Sequence, residues 1–501
     1  MINYNYNLDT LFKDEIDLYN KTTLIFDIEA NGLLDTVSRG YCVVIEDFNT
    51  GAITEFGADD FEDSLTILEE ADYLIAHNGI DYDMRALKIL YPNFNPKGIM
   101  IDTMIMSRQL FQNRKDRDLL GIKKGIIKSE EFSILNESTG KRTSMIGRHS
   151  LDSWGLRLGN KKDSFGKSVD WADEEAIIAD IDRLIKYCRQ DVNLNTDLFK
   201  RFLKYMDKNN MPWMPLLLEF EVQRVMCEQS TYGWYFDKPK AEKLYSELVG
   251  KREDLRVKLN NAFEGYTETM KTPEYYTALV DGTEYKAGSK GQLDNELWAL
   301  YKGTYKRKDL KEMIEDGPIK TKYHPFNPGS ATDIHRELNK KYDWSAKEWN
   351  EDGSPKCGSA IMSKLPYEEC AWLVDLEVVQ DRLEKLAEGR DGGYLGNLHD
   401  DGRLHGYVNT LGAATNRMTH SRPNLAQVPS VGVPYGKEFR SLFTVPKGYK
   451  LVGADESAIE MRLQGHYMAE WDDGEFARVV AEGQSSEGTD AHTRNANILG
   501  V

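Results

Sequence analysis

The chain has 501 residues, 40% hydrophobic and 29% charged, with 82 Asp and Glu against 64 Lys and Arg and a formal net charge of −18. This length exceeds one ordinary core and predicts two to four domains, while the composition excludes a disordered or fibrous chain. No stretch reaches the ~20 apolar residues of a membrane span, Met1–Asn20 is mixed and acidic, and the five cysteines are scattered without zinc or disulfide spacing. The expectation is a cytoplasmic protein.

Residues 1–22 read as an amino-terminal extension. From 23 to 205 strand-like apolar runs alternate with helical patterns, which predicts an α/β layer fold with a mixed sheet flanked by helices. The run Leu24-Ile25-Phe26 leads into Asp27-Ile28-Glu29. On a buried strand, residues two apart share a face, so Asp27 and Glu29 point the same way. Ala71–His77 is a second strand, ending at Asn78-Gly79-Ile80-Asp81-Tyr82-Asp83. Arg114–Arg148 is polar and Lys-rich and reads as an irregular loop. Farther on, Ile181, Leu184, Ile185, Cys188 and Val192 recur at helical spacing, which sets Tyr187 and Asp191 one turn apart on a neighbouring face.

Residues 206–400 read as mainly helical. After Asn209–Pro212 a helix runs through Leu218, Val222, Val225 and Met226 to a break at Gly233. Asp237 and Pro239 start the next, which continues through Leu255. Residues 265–325 carry Gly, Tyr and charges without clear period and read as an insertion. Ala371–Leu386 is helical and precedes a Gly-rich turn, Gly389–Gly396. From 401 to 501 the notable segment is Tyr449–Ala454, a short strand delivering Asp455 ahead of a helix marked by Ile459, Leu463 and Tyr467. Basic clusters at Lys123-Lys124 with Lys128, Lys141-Arg142 with Arg148, and Lys302 through Lys311 read first as solvated faces.

The chemistry lies in the conjunction of motifs. An Asp-x-Glu alone is common on solvated surfaces, and a helix tyrosine commonly keeps its hydroxyl in water. Asp27, Glu29, Asp83 and Asp191 with Tyr187, in that order, supply four carboxylates and a phenol. Two divalent ions about 3.5–4 Å apart, clamped by carboxylates, stabilise the attacking and leaving oxygens of an in-line phosphodiester displacement. Mg²⁺ is hard and favours carboxylate and phosphate oxygen, so a set that requires no Cys or His suits it, with Mn²⁺ as a substitute. A net charge of −18 does not exclude nucleic acid, because affinity follows the local placement of Lys and Arg along the phosphate track.

These motifs resemble the DnaQ-like, Tyr-containing exonuclease class, and the chain from about residue 23 to its end resembles the family A DNA polymerases of T-odd bacteriophages. Leu24–Asn31, His77–Leu87, Ile101–Thr103, His149–Gly159 and Phe326–Ser330 carry the likeness. Its most specific stretches are Thr415–Pro429 (TNRMTHSRPNLAQVP) and Leu451–Arg462 (LVGADESAIEMR). The resemblance implies an RNase H-like 3′–5′ exonuclease at 23–205, a thumb at 206–400 and the first part of an α+β palm at 401–501. It also implies two Mg²⁺ ions at the exonuclease site and two at a completed polymerase site. Asp455 would hold the polymerase ions, and Glu460 would exclude the ribose 2′-OH. His492 would approach the incoming triphosphate, and Arg417, Asn424 and Gln427 would contact primer–template. Minor-groove acceptors are nearly alike for every base pair, so such side chains check shape without reading sequence.

The implied substrates are primer–template DNA, single-stranded 3′ ends and dNTPs, in the host bacterial cytoplasm. In the resembled enzymes the position of residues 265–325 recruits host thioredoxin as a processivity clamp, although the segment here is shorter and its sequence does not match that insertion. The resembled enzymes continue past the equivalent of Val501 into the fingers and a His-Asp-Glu hairpin. The expectation is therefore a replicative polymerase portion, complete as an exonuclease, with synthesis depending on a further carboxyl-terminal chain or segment. The alternative is a free-standing exonuclease whose palm remnant only binds DNA; intact Asp455 and Glu460 speak against it. An inactive assembly subunit is least consistent with four retained carboxylates.

Overall fold

The computed structural model describes residues 16–128, 132–135, 142–160, 162, 165, 169–171 and 173–500. Most of the expected amino-terminal extension, and Lys141 of one basic cluster, lie outside the described residues. Contacts divide the chain into two units, Met1–Phe443 and Thr444–Val501.

The first unit opens with strands β1 (Thr23–Ala30), β2 (Gly40–Asp47), β3 (Ile53–Phe56), β4 (Tyr73–Ala76) and β5 (Ile99–Asp102), in the sheet order β3-β2-β1-β4-β5. β1 is central, antiparallel to β2 and parallel to β4. Its alternation sorts two cores. Leu24, Phe26 and Ile28 join Val43, Ile45 and Leu74 beneath Ala86 and Leu87, which lie on helix α2 (Asp83–Leu90); helix α1 (Asp63–Glu70) adds Leu68 to the same core. Ile25 faces the other way, into a core shared with Leu184, Cys188, Val192 and Phe199. The chain reaches that side through helices α3 (Thr103–Leu110), α4 (Arg114–Lys123), α5 (Leu151–Leu158), α6 (Glu174–Ala179) and α7 (Ile181–Lys208).

Arg114–Arg148 is not the irregular loop its polarity suggests. It contains α4 and an antiparallel pair, Ser133–Leu135 with Arg142–Ser144. Internal pairing of charge explains the difference. Asp118, with a side chain 0% exposed, takes Arg114 at 2.8 Å and Arg157 of α5 at 2.6 Å, and accepts the Gly147 N–H at 2.9 Å. Both guanidinium groups also lie over the Trp154 ring, at 5.5 and 5.0 Å.

Two long helices follow, α8 (Met214–Tyr232) and α9 (Lys238–Ala262). The break at Gly233 has φ +69°, and a Cβ there would lie 2.8 Å from the His405 ring, so both conformation and space call for glycine. Asp237 caps α9 by accepting the Lys240 N–H at 3.1 Å. A second core joins Leu248, Leu255 and Leu259 of α9 to Leu373, Val379 and Leu383 on the helix Glu368–Leu383.

Residues 265–325 are also more ordered than their composition suggests. A ribbon of Tyr266–Pro273 with Ile319–His324 carries a three-stranded sheet formed by Thr283–Ala287, Tyr276–Val280 and Ile314–Asp316. Helices Lys290–Tyr301 and Arg307–Glu312 complete it around Ala278, Val280, Leu293, Leu297 and Leu310. Three- to five-residue strands are too short to show a period of two.

The second unit is helical, with Ile459–Asp472, Glu475–Glu482 and Ala491–Leu499. Gly465 lets the first two approach, since a Cβ there would be 2.9 Å from Ala477 Cα. The strand expected at Tyr449–Ala454 is absent: the segment is exposed and irregular. A strand exists through its ladder partners, and among the described residues of this unit no strand is formed. No helix among the described residues is long and apolar enough to cross a membrane.

Removing Asp118 would leave two arginines uncompensated in a site with little water. Asp118→Ala is expected to lower unfolding stability by about 3–5 kcal/mol, read by urea denaturation. A change within error would show that the pairing is not needed.

Candidate active site

The carboxyl-terminal end of β1 presents Asp27 and Glu29 on the Ile25 side, towards α7. The register shifts opposite Glu29 and Ala30, where Tyr41 of β2 is left without a partner in the ladder, an irregularity of the kind found beside sites. Donor atoms of Asp27, Glu29 and Cys188 lie within 4.8 Å of one another. Cys188 Sγ approaches the Asp27 carbonyl at 3.3 Å and its carboxylate at 3.5 Å, and burial pushes the thiol's pKa up. It therefore serves as a hydrogen-bond donor to the acid, not as a soft ligand beside it.

Asp83 begins α2 and is 4% exposed, hydrogen-bonded by its own and the Ile28 backbone. The loop before it is held from below. Buried Asp102 accepts the N–H groups of Asn78 and Ile80, both at 3.1 Å, and also those of Met104 and Ile105 as the N-cap of α3. Asn78 occupies the left-handed region at φ +71°, which Asn tolerates better than most residues. Asp191, 5% exposed, and Tyr187 lie one turn apart on α7.

These groups lie within electrostatic reach of one another. Burial first, then the charges of Asp191 and Asp83, raises the Asp27 carboxyl well above its usual range. Burial and Asp27 do the same to Glu29. Asp83 is pushed up to about 7, chiefly by burial, and the Tyr187 phenol is raised by burial as well. One cation enters the group: Lys162 is ion-paired with Asp191 and lies 4.7 Å from the centre of the Tyr187 ring. Sequence reasoning missed Lys162 and the supporting role of Asp102. The position of Asp102 just before a helix starting at Thr103 is the N-cap signal that could have found it, whereas Lys162 sits in a polar run without a pattern.

The other predicted residues lie elsewhere. Arg417 is exposed in the turn of the hairpin Tyr407–Asn409 with Thr419–Ser421. Asn424 caps a short 3₁₀ turn by accepting the Ala426 N–H at 3.2 Å, and Gln427 ends that turn. In the second unit, exposed Asp455 precedes the helix on which Glu460 occupies the first turn, and exposed His492 is in the first turn of Ala491–Leu499.

Residues 304–500 match the model of DNA polymerase family A. The DNA-directed DNA polymerases of Escherichia phage T7 and Enterobacteria phage T3 are each 29% identical to this chain, over 94% of it and 72% of their own length. A thermostable DNA polymerase I of Thermus aquaticus is 30% identical over 35% of this chain and 20% of its own. Among solved structures, the POL domain of Pol1 from M. smegmatis, in complex with DNA primer-template and dNTP, aligns with TM-score 0.52 at 15% identity. That likeness, which concerns the fold, covers 90% of this chain and 59% of the solved one. The chain is thus similar to DNA polymerase family A over residues 304–500. Its long, near-complete match is to the phage enzymes.

The crowding has a measurable consequence. Asp83 titrates near 7 in the fold against an ordinary 3.8, so between those values the metal-free fold binds more protons than the unfolded chain and loses stability as pH rises. In EDTA, Tm is expected to fall from about pH 5 to about pH 8, with Mg²⁺ removing most of that slope. A Tm that is flat with pH in EDTA would mean that the acids are not crowded.

Proposed function

We propose that residues 23–205 are the 3′–5′ exonuclease of a phage-type, DNA-directed family A DNA polymerase, built on an RNase H-like sheet. One observation carries this reading: four mutually repelling carboxylates, Asp27, Glu29, Asp83 and Asp191, gathered with Tyr187 in one buried cleft. Like-charged acids confined together favour a multivalent cation among them, and the all-oxygen set fits hard cations. Asp27, Glu29, Asp83 and Asp191 would hold two Mg²⁺ ions, with Mn²⁺ as a substitute. Bound there, the ions would supply charge stabilisation to the attacking and leaving oxygens of a phosphodiester. Tyr187, one turn from Asp191, orients the attacking water through its hydroxyl. Its raised pKa keeps that hydroxyl protonated, a donor rather than a base. The register shift beside Glu29 and the Asp102-held loop fix the acids so that little reorganisation accompanies reaction.

In the rest of the chain, Asp455 would bind the polymerase ions, Glu460 would sense the sugar and His492 the triphosphate of an incoming dNTP. Arg417, Asn424 and Gln427 would contact primer–template DNA. The family match over residues 304–500 supports these assignments. The host cytoplasm is the proposed place of action.

Asp27→Ala or Glu29→Ala is expected to reduce Mg²⁺-dependent mononucleotide release from a labelled single-stranded 3′ end by several orders of magnitude. A double variant that digests at near wild-type rate would sink the reading.

Tyr187→Phe should slow digestion less than Asp191→Ala, because the phenol positions water whereas the carboxylate holds an ion. Equal loss in the two variants, or full activity of the Phe variant, would remove Tyr187 from the role given to it.

A further inference from the structure

The acids of the cleft do not face one another alone. Lys162 is brought in between the end of α5 and the start of α6, and its side chain is only 15% exposed. Its ammonium pairs with the Asp191 carboxylate and hydrogen-bonds the Tyr187 phenol as well. Phe165, three residues on, meets the Tyr187 ring edge-on at 6.0 Å and is itself covered by Arg183 at 4.4 Å, so Lys162 and Phe165 both contact α7. The field of Lys162 reaches Asp27 and Glu29, where it opposes the mutual repulsion of the acids. Burial acts to discharge the lysine, but Asp191 and Tyr187 outweigh it and hold the ammonium charged.

A buried ammonium is expensive unless a carboxylate repays its desolvation, and breaking such a pair is costly because it leaves a buried charge uncompensated. A divalent ion that takes Asp191 as a ligand therefore enters against the charge of Lys162 on the same carboxylate. Resting on the exonuclease reading above, we propose that Lys162 is a built-in counter-ion of this site, holding Asp191 and Tyr187 in place without metal and setting by competition the divalent-ion concentration at which the site fills. Lys162 is thus a positioning residue, acting on the reaction through Asp191 and Tyr187. The site is kept assembled by one cation and switched on by others.

The test uses the full chain with Lys162→Met, which keeps the apolar stem and removes the charge, and Lys162→Arg, which keeps the charge on a larger fork. Titration calorimetry with MgCl₂ and MnCl₂, without DNA, reads the competition directly. Lys162→Met is expected to bind Mg²⁺ about tenfold more tightly than wild type, a difference of one pK-sized charge interaction. Its Tm in EDTA should drop, and saturating Mg²⁺ should restore it. Lys162→Arg, able to pair bidentately with Asp191, should hold the EDTA Tm and bind Mg²⁺ more weakly than wild type. A folded Met variant with unchanged or weaker Mg²⁺ affinity overturns the proposal. If the Met variant does not fold, the Arg variant decides, and unchanged affinity there overturns it equally. These titrations need no catalysis. A wild-type chain that binds Mg²⁺ yet digests no 3′ end would refute the exonuclease reading and leave the competition standing, while digestion with an unaltered Met-variant affinity would refute the competition alone.

Discussion

Carboxylates confined together at low dielectric repel one another, and the first unit is arranged around containing that repulsion. Asp27 and Glu29 hang from the central strand of a five-stranded sheet, Asp83 opens a helix on the next loop and Asp191 faces them from α7. Three elements deliver the four acids, so none can relax without moving a sheet strand or a packed helix. The two apolar cores on either side of β1 supply the rigidity that this needs. A surface cluster of the same acids would splay into water and bind ions only weakly.

Support comes in layers from groups that carry no chemistry themselves. Asp102 gathers four backbone N–H groups and so ties the loop before Asp83 to the start of α3. Asp118 does the corresponding work farther out, joining α4, α5 and the Gly147 turn through two arginines. Thr103 donates its hydroxyl to Asn195 Oδ1 at 2.6 Å and meets His77 Nδ1 at 2.9 Å, linking the start of α3, the end of β4 and α7. The cleft's precision is thus a property of the surrounding polar pairs as much as of its own residues.

What could be read from sequence is what depends on local period. A two-residue repeat put Asp27 and Glu29 on one face of β1, and a helical repeat put Tyr187 one turn from Asp191, because backbone geometry alone fixes those relations. Lys162 was not legible, since nothing in its own neighbourhood reports that it will meet α7. Asp118 was hidden for the same reason: its partner Arg157 is on another helix. The strand expected at Tyr449–Ala454 shows the converse error, an apolar run taken as a strand although pairing partners, not the run, decide whether a strand forms. In the 265–325 module, the strands of the three-stranded sheet are too short to show a pattern that distinguishes order from a loop.

The ribbon at the root of that module sets how it relates to the rest of the chain. Its two strands pair Tyr266 with His324, so the chain leaves and returns at neighbouring positions about 5 Å apart, with the two rings stacked at 4.9 Å. The core inside it is separate from that of α9 and the helix Glu368–Leu383. Topologically the module is a side branch on a closed junction: the path from α9 onward would meet the same geometry whether the branch were long, short or exchanged for another. A change in the branch's length or surface would therefore leave the register of every element before and after it preserved.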